Sequence, residues 1–156
     1  YPTSEAGLQD VVAYFAETPG YWAVCLRATG ALIGHVTCIR KEPEALRTWE
    51  LGYIFNPDYY GHGYATEACR RVVTHAFADL GAHRVQAGCS PENTLSWRLL
   101  ERLGMRREAH RIKAVFLRRT ADGALIWIDS YEYAILAEEW DGAAAGRRGL
   151  ARRRRW

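Results

Sequence analysis

Methionine occurs once, proline five times and lysine twice, and no apolar run approaches the roughly 18 residues that a membrane-spanning helix requires. The four cysteines (Cys25, Cys38, Cys69, Cys89) stand far apart, with no Cys-x-x-Cys step and no histidine pair at zinc-finger spacing. They read as small apolar thiols of an interior. The five histidines (His35, His62, His75, His83, His110) show no metal-site spacing either, so no metal is expected. The opening Tyr1-Pro2-Thr3-Ser4 has neither a basic start nor an apolar h-region, which points to a cytoplasmic protein without membrane attachment.

What is present is the material of a folded body. In 156 residues, 49% apolar and 25% charged, there is room for one globular domain and not for two. Nine Tyr, four Phe and six Trp can fill a sizeable core. The net charge of +3 misleads, because residues 141–156 alone hold six Arg against one Asp. Residues 1–140 carry 15 basic and 17 acidic side chains, an acidic excess that a nucleic-acid-binding body does not show. The expectation is therefore a domain over 1–140 and a disordered Arg-rich tail over 141–156. Only that tail offers a route to RNA, a ribosome surface or anionic lipid.

Ser4 is placed to cap a helix in which Leu8, Val11, Val12 and Phe15 recur at helical spacing, until Thr18-Pro19-Gly20 breaks it. Tyr21 to Arg27 and Leu32 to Ile39 form a hairpin around Thr29-Gly30, and Trp49 to Phe55 is a third strand stopped by Asn56-Pro57-Asp58. Tyr64 to Leu80 is the clearest helix, with Ala65, Cys69, Val72, Val73, Ala76 and Leu80 on one stripe and Gly81 after it. A strand over Arg84 to Cys89, a helix over Leu95 to Leu103 ended by Gly104, a strand over Lys113 to Arg119, a turn at Thr120-Ala121-Asp122-Gly123 and a long strand over Ala124 to Leu136 complete an α+β order.

Tyr60-Gly61-His62-Gly63-Tyr64-Ala65-Thr66 falls between a strand and the first turn of a helix. The leading amides of a helix lack intrahelical partners and lie at the positive end of its dipole, so small residues there let a phosphate approach. The same pattern also serves as ordinary connection chemistry. It is neither a Walker loop, which needs Gly-Lys-Ser/Thr, nor Gly-x-Gly-x-x-Gly, since Thr66 stands where the third glycine falls.

Around that turn stand Glu50-Leu51-Gly52-Tyr53, Asn56-Pro57-Asp58, Ala65-Thr66-Glu67-Ala68, Asn93-x-x-Ser96 and Leu103-Gly104-Met105. In this order and at these intervals the chain resembles, over residues 21–140, the GNAT superfamily of N-acetyltransferases. More narrowly, it looks like the branch that includes the ribosomal-protein N-terminal alanine acetyltransferases. The resemblance implies a central mixed, mostly antiparallel sheet, splayed into a V and flanked by helices, with acetyl-CoA as cosubstrate. It implies that the backbone of His62, Gly63, Tyr64, Ala65 and Thr66 holds the pyrophosphate, that Tyr53, Ile54 and Phe55 hold pantetheine, and that Asn93 also touches the cofactor. The family usually has Arg or Gln where Tyr60 stands, and often a general-acid Tyr where Leu100 stands. Typical members open with a strand and a helix that shape the acceptor site, and this sequence enters near the second helix.

The chemistry this implies is attack of a neutral amine on a thioester. An alkylammonium with a pKa of about 10 must first lose a proton. Glu50 shares a strand face with Gly52, so it either reaches the cleft and takes the proton through a water or is a salt-bridged carboxylate on a sheet face. A main-chain N–H near Ile54 or Phe55 suits the developing oxyanion. The thiolate leaves with a parent pKa of about 8.5, so a hydroxyl suffices to reprotonate it. Ser96 matches the serine this branch places after the Asn, and it also suits a plain first-turn position. Histidine 35 or 110 (His35, His110) could line the acceptor channel instead.

The acceptor is a primary amine, either a protein or peptide N-terminus or a small amine such as an antibiotic, met by the first helix, the loop Lys41 to Thr48 and the last hairpin. Glu42, Glu44, Asp129 and Glu132 would attract a cation there or be a solvated face. A homodimer stays open. The alternative function is a CoA-binding module without turnover, acting in regulation or assembly.

Overall fold

The computed structural model describes residues 5–120 and 122–140. Ser4, Ala121 and the Arg-rich tail of residues 141–156 lie outside them. The chain divides into two compact units, Tyr1–Val85 and Gln86–Trp156. Its elements run α1 (Glu5–Glu17), β1 (Tyr21–Cys25), β2 (Leu32–Arg40), β3 (Thr48–Phe55), α2 (Tyr64–Ala78), β4 (Arg84–Cys89), α3 (Thr94–Arg102), β5 (Arg106–Arg119) and β6 (Leu125–Leu136). The six strands form one mixed sheet in the order β1-β2-β3-β4-β6-β5, not closed into a barrel.

In the first unit β1, β2 and β3 are an antiparallel meander, with Trp22 opposite Val36, and Tyr53 opposite Val36 on the other side. Val36, Cys38, Trp49, Leu51 and Phe55 are buried in step with the alternation of these strands, and Ile33, buried out of that step, stands where the register against β1 shifts. The helix α2 buries Cys69, Val72, Val73 and Ala76. Leu80, expected on that stripe, lies beyond the last helical turn and is 39% exposed. Along α1, Phe15 stacks on the Tyr21 ring at 4.4 Å and lies 4.9 Å from His35, whereas Val12, expected on the same face, points outward.

In the second unit α3 buries Leu99 and Leu100, with Leu103, Met105, Tyr133 and Ile135 beside them in that unit's core. Gly104 ends the helix with φ 85°, the Gly104 amide reaching the Glu101 carbonyl at 2.9 Å and the Met105 amide the Leu100 carbonyl at 3.1 Å. Paired bonds of this kind satisfy the last orphan carbonyls, and only glycine adopts the required conformation without strain.

The largest departure from expectation is β5, which begins at Arg106 and not at Lys113. Its early residues are Arg-Arg-Glu-Ala-His-Arg, without apolar alternation, and its register against β6 slips at Arg107/Ala109 and Arg111/Val115. It is the last strand in the order, so polar side chains serve there, and bulges erase the period of two.

Candidate active site

Along β3 the side chains alternate as the sequence requires: Trp49, Leu51 and Phe55 are buried, while Glu50 and Ile54 are exposed. Glu50 sits across from Ile39, and its carboxylate pairs with Lys41 Nζ at 3.0 Å, each side chain nearly half exposed. The register brings them together, because the Lys41 amide closes the hairpin on the Thr48 carbonyl at 2.8 Å. So the salt-bridged alternative is present, but an exposed pair of this kind holds by about 1 kcal/mol or less and yields readily to a competing partner. A Cβ on Gly52, opposite Thr37, would lie 2.6 Å from Thr37 Oγ1, so a side chain there displaces that hydroxyl.

After β3, the Asn56 side chain accepts from the Asp58 amide at 3.1 Å, and the Tyr60 hydroxyl donates to the Phe55 carbonyl at 3.1 Å. The first bond closes the start of the Pro57–Tyr59 turn on itself, and the second ties its end back to the strand. Gly61 and Gly63 then take φ of 82° and 83°. Gly63 is the N-cap of α2, and the first intrahelical bond runs from the Glu67 amide to the Gly63 carbonyl at 3.0 Å. The amides of Tyr64, Ala65 and Thr66 precede that bond, at the positive pole of the helix. A Cβ built on Gly61 or Gly63 meets no atom within 4 Å, so the space beside both glycines, next to the start of α2, is open. Open space beside a helix N-terminus admits a phosphate group. The His62 and Tyr64 rings stack at 5.5 Å. Tyr64 also lines a cavity of about 830 Å³ with Trp22, Val24, Ile33, Val36 and Val72.

The second unit holds Asn93 and Ser96. The loop after β4 is fixed by the Asn93 amide on the Ser90 carbonyl at 3.0 Å, the Glu92 amide on Ser90 Oγ at 3.3 Å and Trp97 Nε1 on the Pro91 carbonyl at 3.3 Å. Asn93 caps α3, its Oδ1 accepting from the Ser96 amide at 3.1 Å. Burial, chiefly, pushes the Cys89 thiol's pKa up, and the half-buried Ser96 side chain works against that rise. Leu100 is fully buried in the core and offers no proton donor. Nearby, the Tyr133 hydroxyl donates to Glu101 Oε1 at 3.2 Å, and burial, chiefly, pushes its pKa up to about 12.

The histidines are dispersed. His35 packs on Phe15 and burial lowers its pKa, His75 pairs with Asp79 at 2.6 Å, and His110 Nε2 meets Asp129 Oδ2 at 2.8 Å. Of the cysteines, Cys38 and Cys69 are buried and Cys89 is half-buried, but Cys25 is exposed, contrary to the expectation of an interior thiol, because it stands at the last position of β1.

These features have counterparts. Residues 2–106 match the family model described as an acetyltransferase (GNAT) domain. The chain belongs to the GNAT acetyltransferase family. It is 39% identical to YnaD of Bacillus subtilis, an uncharacterized N-acetyltransferase, over 76% of this chain and 65% of that protein. A GNAT-family acetyltransferase structure from Bacillus anthracis superposes with a TM-score of 0.76 at 34% identity, covering 87% of this chain and 76% of the other. Mycobacterium smegmatis RimJ, solved in complex with CoA-disulfide, does so with 0.69 at 29% identity, covering 93% and 66%. The chain spans between about half and two thirds of the length of the curated relatives it matches. Among the described residues no helix is long and apolar enough to cross a membrane.

Proposed function

We propose that this chain is the acetyl-CoA-dependent part of an N-acetyltransferase that acylates a primary amine, working in the cytoplasm. The observation that carries the reading is the turn of Gly61 and Gly63, open at both Cβ positions and leading into the N-terminus of α2, in a chain of GNAT membership. Acetyl-CoA, when bound, supplies an acyl group activated as a thioester. The backbone from His62 to Thr66 holds its diphosphate, the β3 residues Tyr53, Ile54 and Phe55 run beside its pantetheine arm, and Asn93, whose amide oxygen caps α3, contributes through its NH₂ group.

Glu50 takes the proton from the acceptor ammonium through a water, exchanging its Lys41 pairing for the incoming cation. A main-chain N–H at Ile54 or Phe55 steadies the carbonyl oxygen as negative charge grows on it. Ser96 returns a proton to the departing sulfur, a modest task for a thiolate of parent pKa about 8.5. The acceptor class is a protein or peptide N-terminus, as in the branch the motifs resemble, or a small amine. Leu100, buried where a proton donor often stands, favours a second reading, a CoA-binding module without turnover.

Two measurements separate these. Coenzyme A titrated into the protein in a calorimeter should give saturable heat, and its absence overturns both readings. Thiol release from acetyl-CoA across a panel of amines and N-terminal peptides should exceed the amine-free rate for at least one acceptor. Heat with no acceptor-dependent release favours the second reading.

A further inference from the structure

The cavity beside Tyr64 lies wholly within the first unit, between α2 and the β1–β2 hairpin, and apart from Tyr64 none of its lining residues is placed in the acetyl-transfer site. Its floor follows from the hairpin. The register of β1 on β2 shifts between Val24 and Cys25, which leaves Ile33 without an opposite residue and turns it to the face that carries Val36. From α2, Tyr64, Ala68 and Val72 come onto one stripe at steps of four, and the small Ala68 leaves the space between helix and hairpin unfilled. His75 closes the far end of that stripe, pairing with Asp79 at 2.6 Å and meeting the edge of the Trp22 ring at 5.8 Å. The volume of about 830 Å³ falls within the roughly 300–1,000 Å³ of small-molecule sites.

The charges on its border are unequal. Arg27, just after β1, and Arg71, on α2, stand against one carboxylate, Glu67. Glu67 precedes Arg71 by one helical turn, a spacing at which ion pairs commonly close, yet neither of them nor Arg27 has an ion-pair partner among the described residues. Two guanidiniums beside an apolar hollow match a molecule with an anionic head and a hydrocarbon body, and the planar guanidinium fork suits a carboxylate. We propose that this cavity is a second binding site, which takes an amphipathic carboxylate with its ring or chain against Trp22, Val24, Ile33, Val36 and Val72 and its carboxylate on Arg27 and Arg71. A neutral molecule with the same hydrocarbon body leaves both cations unanswered and binds more weakly.

Cys25, exposed at the end of β1 and on the border of the same cavity, supplies the readout. Cys38 and Cys69 are buried, with pKa values pushed up by burial to about 12, so they stay silent toward a thiol reagent at neutral pH. The full chain is treated with N-ethylmaleimide in the presence of 4-phenylbutyrate or of 4-phenylbutanol, and the rate at Cys25 is followed by peptide mass spectrometry, which separates it from Cys89. 4-Phenylbutyrate should slow the reaction saturably, with a midpoint about 10-fold or more below that of the alcohol. Arg27→Gln and Arg71→Gln should each raise the acid's midpoint about 10-fold, the loss of a charge-assisted hydrogen bond. Ala68→Phe, which fills the hollow and leaves both arginines in place, should abolish the protection; circular dichroism shows whether that variant keeps its fold, and the arginine variants decide the matter if it does not. No protection by millimolar 4-phenylbutyrate, equal midpoints for acid and alcohol, or a midpoint unmoved in both arginine variants overturns the proposal. The measurement requires no acetyl transfer, so its outcome is independent of the proposed function.

Discussion

Gly63 combines a left-handed φ of 83° with open space at its Cβ position, so a side chain there is both strained and aimed at the volume a diphosphate would take. Gly63→Val should raise the KM for acetyl-CoA by an order of magnitude or more while the far-ultraviolet circular dichroism stays native; an unchanged KM would contradict diphosphate binding at this turn. At Glu50 the expectation is kinetic. Glu50→Gln should lower kcat about 10²- to 10⁴-fold, most deeply at lower pH, where the amine depends on a base, and recover in part as pH rises toward the amine's own pKa. Full activity at pH 7 would move that role elsewhere. These residues were legible because a glycine before a helix and a period of two along a strand are local signals. The Lys41 pairing was not, because it arises only when the register sets Ile39 opposite Glu50.

Among the elements, α3 depends on its apolar stripe. Leu100 is fully buried, and its carbonyl receives the Met105 amide in the helix stop. Leu100→Ala should cost about 2 to 5 kcal/mol of unfolding free energy in a urea titration; a loss under 1 kcal/mol would mean that the site is less tightly packed than described. The β5–β6 ribbon depends instead on a polar brace. Asp129 accepts from the Lys113 amide at 2.9 Å and pairs with His110 at 2.8 Å across the slipped register. The Lys113 amide first, and then His110, hold the Asp129 carboxyl below the usual carboxylate range. A lowered folded pKa means that the brace is fully present above the ordinary range and is lost as pH falls through the folded value. Asp129→Asn at pH 7 should therefore lower the protection factor of the Lys113 amide in hydrogen exchange, as acid should in the wild type once the pH dependence of the intrinsic rate is divided out; an unchanged protection factor would assign the bulge to strand pairing alone. Central elements with strong apolar periods were readable in advance. The first half of β5 was not, because from Arg106 to Ile112 its side chains are exposed, with only Ala109 half-buried, so no apolar face imposes a pattern.

For the molecule as a whole, a ligand that binds only the native state stabilises it by mass action, about 2.7 kcal/mol at a hundred times its Kd. Acetyl-CoA should accordingly raise the midpoint of thermal unfolding in a concentration-dependent way, and Gly63→Val should blunt that rise more than it lowers the midpoint of the ligand-free protein. A further consequence follows from the Tyr60 hydroxyl on Phe55 and the Asn56 cap of the turn, which act together as a clasp. The receiving surface is then finished before any guest arrives. Association should be a single fast phase whose rate grows linearly with nucleotide concentration, with no plateau from a slow rearrangement, and unclasping it with Tyr60→Phe should show chiefly as a greater entropic penalty of capture.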